Sequence, residues 1–245
     1  MSTVIALALS ASALAGPAFS EPAFATPALL TPGLHMEADV GMTADQVEDG
    51  GWFGLVREAE GYALRRAIVR AGTLTHPLGG PDDAALRITT NLEAPVLFLV
   101  RGVGSLRAGP VPAAYAGGRT LVPGSWQVVG FAPDGFMVLA AEDADGIEDP
   151  ELVDLRSPTH LSLHRYAVSD SGRPDERPSQ SQALGMVPRE AHLLWAGDLD
   201  GDGHPDLILD QTTGSGATEA QLLLSTLAPP DGLVGEAAVL TTTGC

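Results

Sequence analysis

The residues of this chain that could do chemistry are concentrated in one short acidic segment. Asp198, Asp200, Asp202 and Asp206 stand at positions 1, 3, 5 and 9 of this segment, and Gly203 stands at position 6. Calcium takes roughly six to eight oxygen ligands, which alternating carboxylates in a tight loop can supply. Several carboxylates near one point repel each other unless a cation lies between them. The pattern therefore predicts a calcium-binding loop.

The remainder of the loop predicts how the ion is held and what flanks it. The backbone carbonyl of His204, at position 7, is the expected fifth protein ligand, and water completes the shell. An EF-hand needs Glu at position 12, where this chain has Leu209. Segments 193–196 and 207–209 are apolar and typical of strands, and Pro205 lies within the loop. We therefore expect a calcium turn between two β-strands.

Residues 193–210 resemble one FG-GAP or VCBS-type repeat, the calcium turn of integrin-like β-propellers. The resemblance implies calcium, a β-hairpin and an extracellular location. It does not imply a propeller, because each blade of about 40–60 residues would repeat the signature. The rest of the chain carries no such resemblance.

A weaker copy of the pattern lies at residues 143–149. Asp143, Asp145 and Asp149 align with three of the four carboxylates, but Ala141 stands at the first ligand position. The segment is either a second ion site or an acidic surface turn. The missing first ligand favours the surface turn.

The charge balance excludes two classes of partner. The chain has 31 acidic and 13 basic residues, a formal net charge of −18. Such a surface repels nucleic acid and anionic membranes, and it attracts divalent cations. The single cysteine, Cys245, has no partner for an internal disulfide and can pair only between chains.

Residues 1–25 are expected to be a secretion signal. An apolar run begins at Val4, and A-x-A sequences end at Ala15 and Ala25, either of which is a candidate cleavage site. No later stretch is long and apolar enough to span a membrane. We therefore expect a soluble mature protein, periplasmic or secreted.

The spacing of apolar runs predicts a mostly β protein with antiparallel sheets, sandwich-like or a β-meander, and few helices. Residues 52–57 and 62–70 are expected to form a hairpin, and a second hairpin is expected across the turn tripeptide at 133–135. One short helix is expected near 43–47. Residues 104–118, with Gly and Pro at intervals, are expected to lack regular structure and to run over the surface.

Two domain arrangements fit this pattern. The polar, breaker-rich segment 169–178 predicts an exposed loop, which suggests an N-terminal β region at 26–180 and a C-terminal β unit with the calcium loop at 181–245. One continuous domain over 26–245 fits equally well.

Other patterns do not predict a catalytic site. His160, Ser162 and His164 alternate with leucines, so they are expected on the solvent face of a strand. No nucleophile elbow, zinc-protease motif or P-loop occurs. The three tryptophans lie in apolar runs and are expected in the core: Trp52, Trp126 and Trp195.

These observations favour an exported calcium-binding β protein that acts as a structural or binding module for an unknown protein or glycan ligand. The alternative is a calcium-assisted hydrolase acting on a surface polymer. A nucleophile or an acid/base group beside the Asp198 loop would distinguish the two, and the sequence identifies none.

Overall fold

The computed structural model describes residues 26–75, 84–132, 135–143, 159–169, 172–187, 191–212 and 217–243. Within these ranges every strand pairing is antiparallel and the helices are few and short, so the predicted fold class is confirmed. The strands are β1 (Ala28–Leu30), β2 (Gly33–Met36), β3 (Trp52–Glu58), β4 (Gly61–Ala67), β5 (Val69–Thr75), β6 (Ala84–Thr90), β7 (Val96–Arg101), β8 (Gly109–Val111), β9 (Ala113–Leu121), β10 (Trp126–Ala132), β11 (Gly135–Asp143), β12 (Thr159–Ala167), β13 (Gln180–Val187), β14 (Ala191–Gly197), β15 (Asp206–Thr212), β16 (Ala217–Leu224) and β17 (Gly235–Thr243). The helices are α1 (Glu37–Val40) and α2 (Ala44–Glu48), with a 3₁₀ turn at Ser225–Leu227.

The strands form four sheets. The outer sheet has the order β1-β7-β3-β4-β8, and the small sheet has the order β2-β6-β5. The central sheet has the order β17-β16-β15-β14-β9, and the four-stranded sheet has the order β10-β11-β12-β13.

The central sheet lies between two hydrophobic cores. On one face, Trp195 and Ile208 belong to a core that includes Leu55 of the outer sheet. On the other face, Leu209 belongs to a core that includes Leu163 of the four-stranded sheet. Because β14 and β15 are covered on both faces, their sequences are nearly continuous apolar runs rather than alternating ones.

The predicted local elements are confirmed where the structure describes them. Strands β3 and β4 form the first hairpin, closed by the Glu58–Gly61 pair. Strands β10 and β11 form the second hairpin, whose turn residues 133–134 lie outside the described residues. Helix α2 begins after Thr43, whose side chain accepts the Gln46 N–H while its own N–H donates to the Gln46 side chain at 2.9 Å. This reciprocal pair is a capping box.

The prediction that residues 104–118 lack regular structure is wrong for most of the segment, although its side chains are mostly exposed as expected. Residues Gly109–Val111 pair with β4, and Ala113–Leu121 pairs with β14 as an edge strand of the central sheet. Pro110 is tolerated because β8 is itself an edge strand, where a missing N–H can face away from the sheet. Most side chains of β9 are exposed, so the segment has no apolar alternation that would indicate a strand.

One of the three tryptophans is not in the core. Trp52 and Trp195 are 1% and 0% exposed, as expected, whereas Trp126 is 63% exposed. Trp126 begins β10, an edge strand, on the face opposite the core.

The described structure does not decide between the two domain arrangements. Strand β9 precedes residue 180 and pairs with β14, which follows it. The division at residue 180 stays a prediction, and the proposed signal at 1–25 lies outside the described residues. Among the residues described, no helix has the length and hydropathy needed to cross a membrane.

Candidate metal centre

The acidic segment connects two strands of the central sheet. Strand β14 ends at Gly197 and β15 begins at Asp206, and these two residues are paired in the antiparallel register. The hairpin predicted from the sequence is therefore confirmed. Gly201 and Gly203 have φ angles of +81° and +86°, which residues with a side chain rarely adopt. The two glycines allow the loop to fold back so that its carboxylates converge.

Two contacts seat the loop on the rest of the molecule. The side chain of Leu199 is 3% exposed and belongs to the core shared with the outer sheet. The backbone N–H of Asp198 donates to the carbonyl of Pro112 at 2.9 Å, between β8 and β9. The loop is therefore anchored from both the core and a neighbouring edge strand.

Three carboxylates converge at the loop. Asp198, Asp200 and Asp206 each offer one oxygen, and these oxygens all lie within 4.8 Å of one another. This spacing allows one metal ion to contact all three, because oxygen-to-metal distances for divalent cations are roughly 2.0–2.6 Å. The three aspartates can hold a metal ion.

Asp198 is oriented by the turn itself. Its two carboxylate oxygens accept the backbone N–H of Gly201 at 2.7 Å and of Gly203 at 3.0 Å. The glycine conformations and the position of the Asp198 side chain are thus coupled, because each N–H points inward only if its residue keeps the left-handed turn.

Asp200 has one satisfied and one unsatisfied oxygen. Its Oδ2 accepts hydrogen bonds from the hydroxyls of Ser105, at 3.2 Å, and Thr226. Its Oδ1 is buried and has no hydrogen-bond partner among the described residues. A buried carboxylate oxygen without a partner is unfavourable. A cation between Asp200 and its acidic neighbours would supply that partner.

Asp206 is the buried member of the cluster, with no exposed side-chain surface. Burial is the main cause that raises the pKa of Asp206 to about 7. The negative charge of Asp200 also raises this pKa, while the hydrogen bond from the Ser225 backbone N–H lowers it. Its oxygens accept from the N–H groups of Leu199 at 2.7 Å and Ser225 at 2.8 Å. These donors favour the ionised carboxylate and offset part of the effect of burial on the pKa.

The two other predicted ligands lie outside the group of three. Asp202 accepts the Ser225 hydroxyl at 2.8 Å on Oδ2 and the N–H of His204 at 2.8 Å on Oδ1. The His204 ring contacts the Arg165 guanidinium at 3.2 Å, so Nδ1 accepts in this pair. The role of the His204 carbonyl as a ligand stays a prediction.

The sequence did not identify the hydroxyls around the cluster. Ser105 approaches from the segment before β8, while Ser225 and Thr226 follow β16 in the 3₁₀ turn. These residues are distant from the loop in sequence and have no motif spacing relative to it. Only the pairing of β15 with β16 brings the 3₁₀ turn to Asp206.

Two other sequence predictions have different outcomes. The weaker acidic turn stays a prediction: Asp145, Asp149 and the side chain of Asp143 lie outside the described residues. The solvent-face prediction for β12 is confirmed: Leu161 and Leu163 are buried in the core, and the histidines are on the opposite face.

A cavity of about 390 Å³ lies beside the loop. Asp198 contributes to its wall, and it is the one residue with an ionisable side chain among the described residues that line the cavity. The other lining residues are small or apolar: Pro112, Ala113, Ala114, Gly130, Phe131, Gly197 and Pro205.

No family model matches this chain, and no curated protein or solved structure matches it. The likeness of residues 193–210 to an FG-GAP or VCBS-type repeat therefore stays a prediction. What the structure establishes is an antiparallel β fold in which three aspartates of a strand-connecting loop can hold a metal ion.

Proposed function

We propose that this chain is an exported calcium-binding β protein that acts as a structural or binding module. The metal-binding part of this proposal is supported best by the convergence of the Asp198, Asp200 and Asp206 oxygens, together with the buried Asp200 Oδ1 that has no hydrogen-bond partner among the described residues. An exposed acidic turn without an ion would place its carboxylates in water, whereas Asp206 has no exposed surface.

The chemistry of the donor set favours calcium. The cluster offers carboxylate oxygens, and hard cations such as calcium and magnesium prefer these, while zinc in proteins is bound mostly by sulfur and nitrogen. Magnesium demands a near-ideal octahedron and releases its waters reluctantly. A loop that also has hydroxyls of Ser105, Ser225 and Thr226 nearby suits the larger and more flexible calcium shell.

The expected role of the ion is to lock the loop between β14 and β15. It would neutralise carboxylates whose mutual repulsion opposes the folded turn. Binding to the folded state alone stabilises it by about 2.7 kcal/mol when the ligand concentration is a hundred times Kd. The 3₁₀ turn is bonded to the same aspartates, so the ion would fix it as well.

The hydrolase alternative has no specific observation in its favour. A hydrolase needs a nucleophile or an acid/base pair beside the substrate. The described residues that line the cavity next to the loop supply no such pair. The proposal therefore remains a module that binds a protein or glycan ligand or supports a larger assembly.

Calorimetry and thermal melting test the calcium proposal. Asp198→Asn removes one charge and keeps one of the two acceptors for the glycine N–H groups, and exposed Asp175→Asn is the matched control. We expect calcium to bind wild type and the control with a Kd of about 10⁻⁴–10⁻³ M and to raise their melting temperatures above those in EDTA. The Asp198 variant should lose most of this shift, and magnesium should produce less of it. Equal melting temperatures of wild type in calcium and EDTA would contradict the proposal.

Export is tested separately. Mass spectrometry of protein from the native host should find the mature N-terminus at Thr26, or at Gly16 if the earlier A-x-A site is used. The protein should be recovered from the periplasm or the medium. Intact Met1 in the cytosolic fraction would contradict export without affecting the metal site.

A further inference from the structure

The outer face of the four-stranded sheet is unusually apolar for a solvent-facing surface. Four large apolar side chains in the described chain are more than half exposed, and three of them are on this face. These three are Phe131 at 77%, Trp126 at 63% and Met186 at 58%; the fourth, Ile68, lies elsewhere, between β4 and β5. We call the outer side of β10–β13 the apolar face.

The strand register places these side chains on one side. Direct cross-strand partners share a face of a sheet. Phe131 pairs with Phe136, which pairs with Tyr166, and Trp126 pairs with Ala140. The alternate positions, which include Leu139 and Leu163, are buried in the core on the other side.

A β-bulge makes this arrangement. The register of β10 shifts between Val128 and Gly130, so inward-facing Val129 (0% exposed) is followed by Gly130, which pairs with buried Met137 on the core side as well. Without the extra residue, Phe131 would alternate onto the core side. The bulge instead carries it to the outer face beside Phe136.

The polar groups at the centre of this face are bonded to one another. Both ring nitrogens of His164 are hydrogen-bonded, one to the Ser162 hydroxyl and one to the Ser181 hydroxyl, each at 2.8 Å. The rings of Phe136 and Tyr166 stack on each other at 5.4 Å and 11°, so each has one flat side occupied. This part of the face suits a dry protein contact, because its polar groups do not need partners from water.

The face is also nearly free of carboxylates. The chain has 31 acidic residues, yet the four strands contain only Glu142 and Asp143, both at the end of β11. Two copies with a net charge of −18 repel each other over most of their surfaces. The apolar face is where two copies can approach with little repulsion.

From these observations we propose that the apolar face is the interface of a homodimer, in which a second copy of this chain packs face to face. A closed pair in which each copy uses the same patch requires a self-complementary surface, which a largely apolar sheet face with few charges provides. The inference does not depend on the metal.

The size of the face sets the expected strength. Strands about 4.8 Å apart with a rise of about 3.3 Å per residue give four strands a face of about 500 Å². Two such faces bury about 1,000 Å², the lower end of specific interfaces. We therefore expect a dimer with a dissociation constant in the micromolar range.

Sedimentation velocity on the full chain tests the proposal. A monomer–dimer equilibrium is expected between about 1 and about 200 µM. Phe131→Glu and Trp126→Glu should each raise the dissociation constant at least about tenfold, because aromatic residues are common interface anchors. Ile68 is as exposed as Met186 but lies outside the apolar face, so Ile68→Glu should leave the dissociation constant unchanged. Raising NaCl from about 0.05 to about 0.5 M should tighten the dimer, since salt screens the repulsion between acidic copies.

Circular dichroism and melting temperature establish that each variant is folded, which is expected because the substituted side chains are more than half exposed. Folded wild type that stays monomeric throughout, or a dimer that the Phe131 and Trp126 variants leave intact, would overturn the proposal. So would a monomer that is retained on insoluble cellulose or chitin through Trp126, since that result would assign the face to a glycan. Repeating the sedimentation measurement in EDTA shows whether dimerisation requires the metal. Failure of the dimer proposal can then be told apart from failure of the calcium proposal.

Discussion

Ser225 donates two hydrogen bonds to one carboxylate oxygen of Asp206, from its backbone N–H at 2.8 Å and from its hydroxyl at 3.0 Å. The same hydroxyl lies 2.8 Å from Asp202. Ser225, nineteen positions after Asp206 in the sequence, thus links the buried carboxylate of Asp206 to the exposed carboxylate of Asp202. The end of β16 therefore positions the candidate metal centre.

Replacement of this serine tests the link. Ser225→Ala removes the hydroxyl and keeps the N–H, so we expect the free energy of unfolding in calcium to fall by about 1.5–3 kcal/mol, as for hydrogen bonds to charged groups. Calcium affinity should fall too, because Asp202 and Asp206 lose a shared donor. Ser179→Ala, which removes an exposed hydroxyl bonded to the Arg165 carbonyl, is the control. An unchanged calcium affinity in Ser225→Ala would argue against a positioning role.

Asp200→Asn should have opposite effects with and without calcium. In EDTA the substitution removes one charge from a crowded group of carboxylates and should raise the free energy of unfolding. In calcium the substitution removes an ionic ligand and should lower the free energy of unfolding. Each change should be about 0.5–3 kcal/mol. Chemical denaturation in both media measures the two signs. A change of the same sign and size in both would mean that Asp200 does not contact an ion.

The pH dependence of the metal-free protein should report Asp206. Burial raises the pKa of this carboxyl from 3.8 to about 7 in the folded state. A raised folded pKa means that the protonated group stabilises the fold at low pH, and that this contribution is lost as pH rises from about 4 to about 7. In EDTA, the free energy of unfolding of wild type minus that of Asp206→Asn should therefore fall across this range. A difference that does not vary with pH would contradict the assignment.

Calcium should reverse this trend. The ion replaces the proton on Asp206, so calcium affinity should weaken as pH falls from about 7 toward 5. Calorimetry at the two ends of that range measures the change. Equal affinities would show that Asp206 is not a ligand.

The two loop glycines should not tolerate a side chain. Gly203 has a φ of +86°, and a residue with a Cβ there costs about 1–2 kcal/mol. Gly203→Ala should therefore lower the free energy of unfolding by about that amount and weaken calcium binding, because its N–H orients Asp198. Gly72→Ala in β5, where an added Cβ meets nothing within 4 Å and φ is not positive, should be neutral or slightly stabilising. Equal effects of the two substitutions would contradict the argument.

The elements that could be predicted from the sequence are those with local causes. The β10–β11 hairpin follows from turn residues between apolar runs, and helix α2 follows from the Thr43 cap. The β14–β15 loop follows from alternating aspartates and glycines. In each case the residues that decide the structure lie within a few positions of one another.

What could not be predicted depends on contacts between distant segments. Strand β9 has mostly exposed side chains, and it is a strand because its backbone pairs with β14. Trp126 looked like a core residue because its neighbours are apolar, but no sequence pattern shows which face of β10 is covered. The hydroxyls of Ser105 and Thr226 reach Asp200 only after the sheet has formed.

The central sheet has a consequence for how amide hydrogens exchange with solvent. Ile208 faces one core while Leu207 and Leu209 face the other, so β15 is covered by a layer on each side. Deuterium can reach the β14–β15 amides only if the sheet separates from both layers. We expect these amides to be the slowest in the molecule to exchange, with opening free energies close to that of global unfolding. Exchange at β15 would then be a readout of the stability of the whole fold.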